Sequence, residues 1–509
     1  MKPHGLLLRW LVFAGVVVVV MLTAASAGAK KPKPPGGGGF STTSTYVKSY
    51  GNVLGGVEYS LTPEDVQQDS DGGWTALALT QASSGVGVSW LLKSSAVGAP
   101  QWQEEIGCLN GAPGDYADAV SLQHTSDGGY VLAGGTIGCG SGSDCPSLSG
   151  IQCGLIEKVD SAGRVVWAQA YTASPTSTAI ERIKPTSDGG LIAVGTATDV
   201  NHNPRALIMK LDALGNIQWQ RQFATTGTGW ALFNTVEQTS DGGFVAVGEM
   251  NDGSQSSVGL PLVSVLAARF DATGNLGWQH AFNDVGPSGV TATEHALTVV
   301  RTSDGGYAIG GNWGSATLGP GSCCTGALLL KLTPSGSIQW QEAYSGGVTC
   351  GDQTCADAGG VVYSLHQTAD GGYLLAGEAD SPQLTPWLAK VDGSGALVWQ
   401  EADYQVNPEY GTPLSEYFAT SALTPIGPIA IGETENYSNG HNELLAVRTD
   451  SNGTVGTCSQ IHPSSALSPR NPALAEFDPG LASTTSVASQ SSSPAQAQTT
   501  TAAATASQC

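Results

Sequence analysis

The sequence predicts an all-β fold: a seven-bladed β-propeller of four-stranded antiparallel blades, closed by an N-terminal strand pairing with the last repeat. Three observations carry this expectation. A turn phrase recurs six times, as DSDGGW at Asp69, TSDGGY at Thr125, TSDGGL at Thr186, TSDGGF at Thr239, TSDGGY at Thr302 and TADGGY at Thr368. A second phrase answers it, as KVDSAGRVVWA from Lys158, KLDALGNIQWQ from Lys210, RFDATGNLGWQ from Arg269, KLTPSGSIQWQ from Lys331 and KVDGSGALVWQ from Lys390. The chain also holds 69 glycines with only 12% charged residues, a composition of short strands and tight turns rather than amphipathic helices.

The first phrase places the opening hairpin of each blade. Asp-Gly or Gly-Gly between two apolar runs, as between ALTVVRT and YAIGGNW, is the strongest local hairpin signal. Successive motif aspartates, Asp71, Asp127, Asp188, Asp241, Asp304 and Asp370, lie 53 to 66 residues apart. That spacing approaches the roughly 50-residue period of the longer propeller repeats. The second phrase supplies strands three and four, with Trp167, Trp219, Trp278, Trp340 and Trp399 at one fixed place. A bulky aromatic repeating in register is a blade-docking residue.

A seventh repeat is worn but legible: GPIAIGE from Gly427 aligns with GYLLAGE from Gly372, and LLAVRTDSNGTVG from Leu444 aligns with the strand-three phrase. It lacks a fourth strand, and YVKSYG from Tyr46 matches WQEAYSG from Trp340. A strand supplied from the N-terminus would remove the two open edges of an unclosed ring.

The ends read differently. Residues 1–29 have the layout of a secretory signal: Lys2 and Arg9, an apolar run from Trp10 to Leu22, and small residues up to Ala29. An uncleaved anchor is the alternative, since Trp10 to Ala29 carries no charge. Residues 30–44 form a Pro/Gly-rich linker, 45–458 the propeller, and 459–509 a Ser/Thr/Ala-rich tail expected to be disordered because it cannot build a core of its own. These features predict a secreted protein, extracellular or periplasmic, with no membrane span after cleavage.

The chain resembles the secreted bacterial repeat proteins that carry T-S-D-G-G-Y and K-L-D-x-x-G-N-x-x-W phrases, over about residues 45 to 458. The resemblance implies a propeller and no particular activity. The DATGNLGW stretch from Asp271 is also similar to the tryptophan-docking motif of quinoprotein dehydrogenases and of related outer-membrane assembly propellers. That likeness concerns blade packing, and a fold so widely shared carries little functional information.

Nothing amounts to a catalytic motif. No G-x-S-x-G, paired carboxylate or His-nucleophile constellation stands out, so a non-catalytic binding or scaffolding module is the first expectation. A propeller enzyme, either a glycoside hydrolase or a quinoprotein-like dehydrogenase, is the alternative. The formal charge of −22 argues against nucleic acid and favours cations. The expected partner is an extracellular protein or glycan, met by a monomer.

The turn aspartates could ligate calcium, but tight hairpins favour Asp for geometric reasons alone. One basic residue falls on each third strand, Lys93, Lys158, Lys210, Arg269, Lys331, Lys390 and Arg448, and is expected to satisfy carboxylates or backbone. Ten cysteines after a secretory signal predict disulfides within three groups: Cys108, Cys139, Cys145 and Cys153; Cys323, Cys324, Cys350 and Cys355; and Cys458 with Cys509. Adjacent Cys323 and Cys324 are similar to the vicinal disulfide of some quinoprotein dehydrogenases, although those enzymes resemble eight-bladed propellers. A cation site, with calcium as the ion, is expected where loops entering the innermost strands carry Asp118, Glu181, Glu294, Asp357 and Glu416.

Overall fold

The computed structural model describes residues 45–455, apart from loop segments at 55–56, 82–86, 108–115, 138–151, 173–176, 226–228, 256–260, 285–291, 316–324, 351–352, 381–383, 403–416, 426 and 435–441, together with six short stretches between 468 and 507. The expected signal (1–29) and linker (30–44) lie outside the described residues. Those described are all β and propeller-like, arranged as repeated four-stranded antiparallel sheets. Among them no helix is long and apolar enough to cross a membrane.

The third repeat shows the plan. Its strands Thr178–Pro185, Leu191–Thr198, Pro204–Leu211 and Ile217–Ala224 pair in sequence order. The second strand is buried at every residue, which explains why LIAVGTAT is a continuous apolar and small run rather than an alternating one. The first strand carries a bulge between Ile180 and Arg182, and the other first strands bulge at the corresponding place.

The hairpin turns form because Thr and Asp satisfy the backbone locally. At Thr125, the hydroxyl donates to Asp127 at 2.6 Å, the Gly129 amide donates to the same carboxylate at 3.1 Å, and Gly128 N–H closes the turn on Thr125 O at 3.0 Å. Equivalent bonds recur at Thr186, Thr239, Thr302 and Thr368.

The apolar core lies between repeats rather than within them. One layer joins Ile192, Ile208 and Phe223 of the third repeat to Phe233, Phe244 and Phe270 of the fourth. Another joins Tyr46, Tyr50, Ile429 and Leu444 to Val66, Trp74 and Trp90, which packs the last repeat on the first. The docking aromatics follow the same step, each ring covering a glycine in the next turn. Trp102 lies over Gly163, Trp167 over Gly215, Trp219 over Gly274, Trp278 over Gly336, Trp340 over Gly395, Trp399 over Gly453, and Tyr46 over Gly98; a Cβ added at these glycines would stand 2.7 to 3.0 Å from the ring.

Two glycines separate backbone strain from docking. Gly128 and Gly274 both have positive φ, +83 and +81, but a Cβ at Gly128 meets nothing within 4 Å while one at Gly274 meets Trp219 at 2.7 Å. Gly274→Ala is therefore expected to cost at least about 1 kcal/mol more than Gly128→Ala in denaturant unfolding. Equal costs would remove the docking role assigned to Trp219.

The N-terminal strand Tyr46–Leu54 occupies the place of the missing fourth strand. It pairs antiparallel with Glu443–Arg448, Tyr46 opposite Arg448 as Trp219 is opposite Lys210 and Trp340 opposite Lys331. Tyr50 donates to Gly98 O at 2.8 Å, as Tyr344 donates to Gly395 O at 2.6 Å.

Two arrangements differ from expectation. The first and second repeats are joined into one sheet by a short parallel contact, Gly87 opposite Tyr116 and Val88 opposite Ala117. The C-terminal segment, expected to be disordered, contributes short strands along the outer edges of the sheets. Its composition prevents a core of its own, but main-chain pairing with a ready-made edge needs no apolar side chains.

Candidate functional site

The repeated polar residues are consumed by the scaffold. Lys158 lies 3.0 Å from Asp127, Lys210 3.0 Å from Asp188, Lys331 2.9 Å from Asp304 and Lys390 3.0 Å from Asp370, and Arg269 pairs with Asp241. The Thr125 hydroxyl, with Lys158 and the Gly129 amide, lowers the Asp127 carboxyl to about 2; Thr368, Lys390 and Gly372 do the same for Asp370. A turn carboxylate already held by a lysine and a hydroxyl is a poor calcium ligand. The end repeats vary the theme. Buried Asp69 stands where the other turns have Thr and gathers Lys93 at 2.6 Å, Tyr130 at 2.7 Å and His124 at 3.0 Å. Arg448 has no turn aspartate and donates to the Ala96 carbonyl at 2.8 Å and to Thr424 at 2.8 Å.

First strands of several repeats converge on Asp65. Its carboxylate accepts from Leu122 N at 2.9 Å and Val66 N at 2.8 Å, pairs with Arg182 at 3.0 Å, and accepts from Thr420 at 3.4 Å. Beside it Lys184 pairs with Glu237, and the half-buried His366 ring contacts Ser421 O at 2.7 Å. Burial lowers the His366 pKa. These first strands thus meet through compensated charge at Asp65 and Arg182 and at Lys184 and Glu237.

Of the five acids expected to form a cation site, Glu416 and the side chain of Asp357 lie outside the described residues. The Asp357 backbone sits on Gln353–Ala358, a strand paired with the far end of Ile338–Cys350. Asp118, Glu181 and Glu294 precede Asp127, Asp188 and Asp304 by 9, 7 and 10 residues. Relative to the bulge they occupy different positions: Glu181 falls at it, Asp118 two residues before it, and Glu294 three before it. Successive strand residues face opposite ways, so these positions do not share one face. Among the described residues no group of three or more His, Cys, Asp or Glu could hold a metal ion.

One of the five nevertheless has an unusual setting. Asp118 is half-buried, with its Oδ1 enclosed and lacking a hydrogen-bond partner, and a Cβ on Gly87 would stand 3.0 Å from that oxygen. Burial, and then the charge of Glu64, raises its carboxyl to about 7. The second acid here is Glu157, fully buried, with neither carboxyl oxygen hydrogen-bonded. Burial and then Asp118 raise it to about 8. Glu157 lies opposite Leu132 and on the same strand face as Val159, both in the apolar layer with Leu77, Leu91 and Ile106 of the first repeat. Two such groups near neutrality hold protons or a cation, because neither fully ionised form is tolerated without compensation.

Sequence reasoning missed Glu157, although the repeats carry its signal. The residue just before the third-strand base is Leu92, Met209, Ala268, Leu330, Ala389 or Val447 in the other repeats; only the second repeat puts an acid there. Of the ten cysteines, Cys153 has a described side chain, buried at the head of a third strand and disulfide-bonded. Cys350 and Cys355 occupy the two strands of one hairpin. The remaining cysteines, and the pairing of Cys458 with Cys509, lie outside the described residues.

No family model and no curated protein matches the chain. Among solved structures it is similar to a protein of unknown function from Bacteroides caccae, at 11% identity and a TM-score of 0.34, covering 70% of this chain and 94% of that one. It is also similar to a hypothetical protein from Leishmania major, at 11% identity and a TM-score of 0.28, covering 57% and 93%. A GDP-Man-dependent mannosyltransferase from Leishmania mexicana gives 10% identity, a TM-score of 0.28, and coverage of 55% and 88%. The class defined by the described residues is an all-β repeat protein of propeller-like build.

Proposed function

We propose that the chain is a secreted, non-catalytic binding module, built as a seven-bladed propeller closed through Tyr46–Leu54, and that it takes a small cation between its first and second blades. The ring is supported by the run of docking aromatics, whose steps return from Tyr46 to Gly98 of the first repeat. Secretion is supported by the signal-like residues 1–29 and by disulfide-bonded Cys153.

The observation that carries the cation reading is that Asp118 and Glu157 hold three enclosed carboxyl oxygens without hydrogen-bond partners. A cation displacing their protons would relieve both groups. A glycosidase reading needs one carboxyl open to a sugar, whereas Glu157 is enclosed in an apolar layer.

Calorimetric titration with calcium tests the proposal. Saturable binding is expected, tighter at pH 8 than at pH 6 because protons compete for the same oxygens, and lost in Asp118→Asn/Glu157→Gln. No saturable binding to the wild type, or binding unchanged in the double variant, would overturn it.

A further inference from the structure

The C-terminal segment does more than touch the sheets. Its strand Ser468–Arg470 pairs with Ala343–Ser345 on the outer strand of the fifth repeat. Leu474–Phe477 pairs with Ala281–Asp284 of the fourth, Ala482–Thr484 with Gln222–Ala224 of the third, and Ser489–Ser492 with Gln169–Thr172 of the second. Gln496–Thr499 then pairs with Glu104–Gly107 of the first, and Ala504–Ser507 with Lys48–Gly51 of the N-terminal strand. The segment therefore visits neighbouring repeats one after another, in reverse chain order, and every pairing is antiparallel.

The register varies by a single residue. Contact begins two residues past Trp102, Trp167 and Tyr46, and three past Trp219, Trp278 and Trp340. Each outer strand thus divides its length, with the aromatic end docked on the next turn and the other end taking the C-terminal segment. Strand twist explains how one chain can do this. Neighbouring strands rotate by roughly 20 to 25° each, so three steps turn the outer strand toward the circumference, where a circling chain runs along it.

The sequence fits the task. Successive strands begin 6 to 8 residues apart, at 468, 474, 482, 489, 496 and 504, which allows one strand and one short link per repeat. No charged residue follows Asp478, and of the prolines from 468 on, Pro472, Pro479 and Pro494 fall between the paired stretches while Pro469 stands opposite Tyr344 within the first. A charged or lysine-rich segment would be repelled from such an edge.

We infer that the outer rim is a strand-docking surface whose occupant is the chain's own C-terminal segment, and that residues 468–507 act as a belt locking the N-terminal strand. The belt's last strand lies on Lys48–Gly51, so this N-terminal strand is held between Glu443–Arg448 and the belt. The inference does not depend on what the protein binds.

Hydrogen exchange on the full-length protein and on a chain ending at residue 467 tests it. Truncation should speed exchange about tenfold or more at 48–51, 104–107, 169–172, 222–224, 281–284 and 343–345, while Leu191–Thr198 stays protected. Adding a synthetic 468–507 peptide to the truncated protein should restore protection. Equal exchange in the two chains would overturn the belt. Protection that appears in the full-length protein only with rising concentration would also overturn it, because the segment would then be docking on a second copy.

Discussion

Tyr50→Ala is expected to lower stability by about 3 to 5 kcal/mol, and removal of residues 46–51 by more, with a steep fall in thermal midpoint. Tyr50 is fully buried, packs edge-on against Trp74 at 5.5 Å between ring centroids, and donates to Gly98 O at 2.8 Å. Its neighbour Tyr46 accepts from the Trp74 indole at 2.6 Å. The loss would not be confined to one strand, because these two rings belong to the layer joining the last repeat to the first. Tyr46→Phe keeps the ring over Gly98 and removes the acceptor, so a smaller loss of about 1 kcal/mol is expected. Thermal unfolding of a chain starting at Val53 gives the decisive comparison: an unchanged midpoint would show that the N-terminal strand closes nothing.

The second large effect is a fall in stability as pH rises from 5 to 8. In the unfolded chain Asp118 and Glu157 ionise in the ordinary carboxylate range, while in the folded chain they hold their protons to about 7 and about 8. Between these limits the folded state binds more protons than the unfolded state, so stability decreases with pH, by on the order of 2 to 4 kcal/mol for the pair. The turn aspartates act elsewhere: lowered to about 2 at Asp127, Asp188, Asp304 and Asp370, they stabilise above the unfolded range and lose this only as pH falls toward 2. His295 adds a smaller term of the first sign. Burial opposes its charge, but Glu249 at 2.9 Å raises its pKa above the ordinary value. Glu157→Gln isolates the pair, and its midpoint should change less between pH 5 and pH 8 than that of the wild type. A wild-type midpoint that is flat or rises across this range would refute the assignment.

Strands and turns were legible because local chemistry dictates them. Thr-Ser-Asp-Gly-Gly closes a hairpin whichever neighbours it has, and Lys210 finds Asp188 through the pairing of adjacent strands. Even the distant partnership of Tyr46 with Arg448 could be read, since YVKSYG preserves both aromatic positions of a fourth strand. The acids were harder. Their spacing from a turn does not reveal the bulge, and one inserted residue redirects every side chain before it. Glu157 escaped notice for another reason: in isolation LIEKVD looks like an ordinary strand end, and only its rank against Met209, Leu330 and Val447 shows an acid in an apolar column. The C-terminal pairing could not be read from composition, which reports what a segment can bury and not which edges await it.

The parallel contact of Gly87 with Tyr116 and Val88 with Ala117 takes on a mechanical meaning beside Glu157. Every other pair of neighbouring repeats is cemented by a layer without a fully buried partnerless acid of this kind among the described residues, whereas the joint between the first two repeats is expected to weaken as that acid ionises. Main-chain hydrogen bonds do not titrate in this range, so the contact works as a rivet at a joint that loss of a proton would loosen. Under load or in alkali the first two repeats would slacken about this rivet without coming apart.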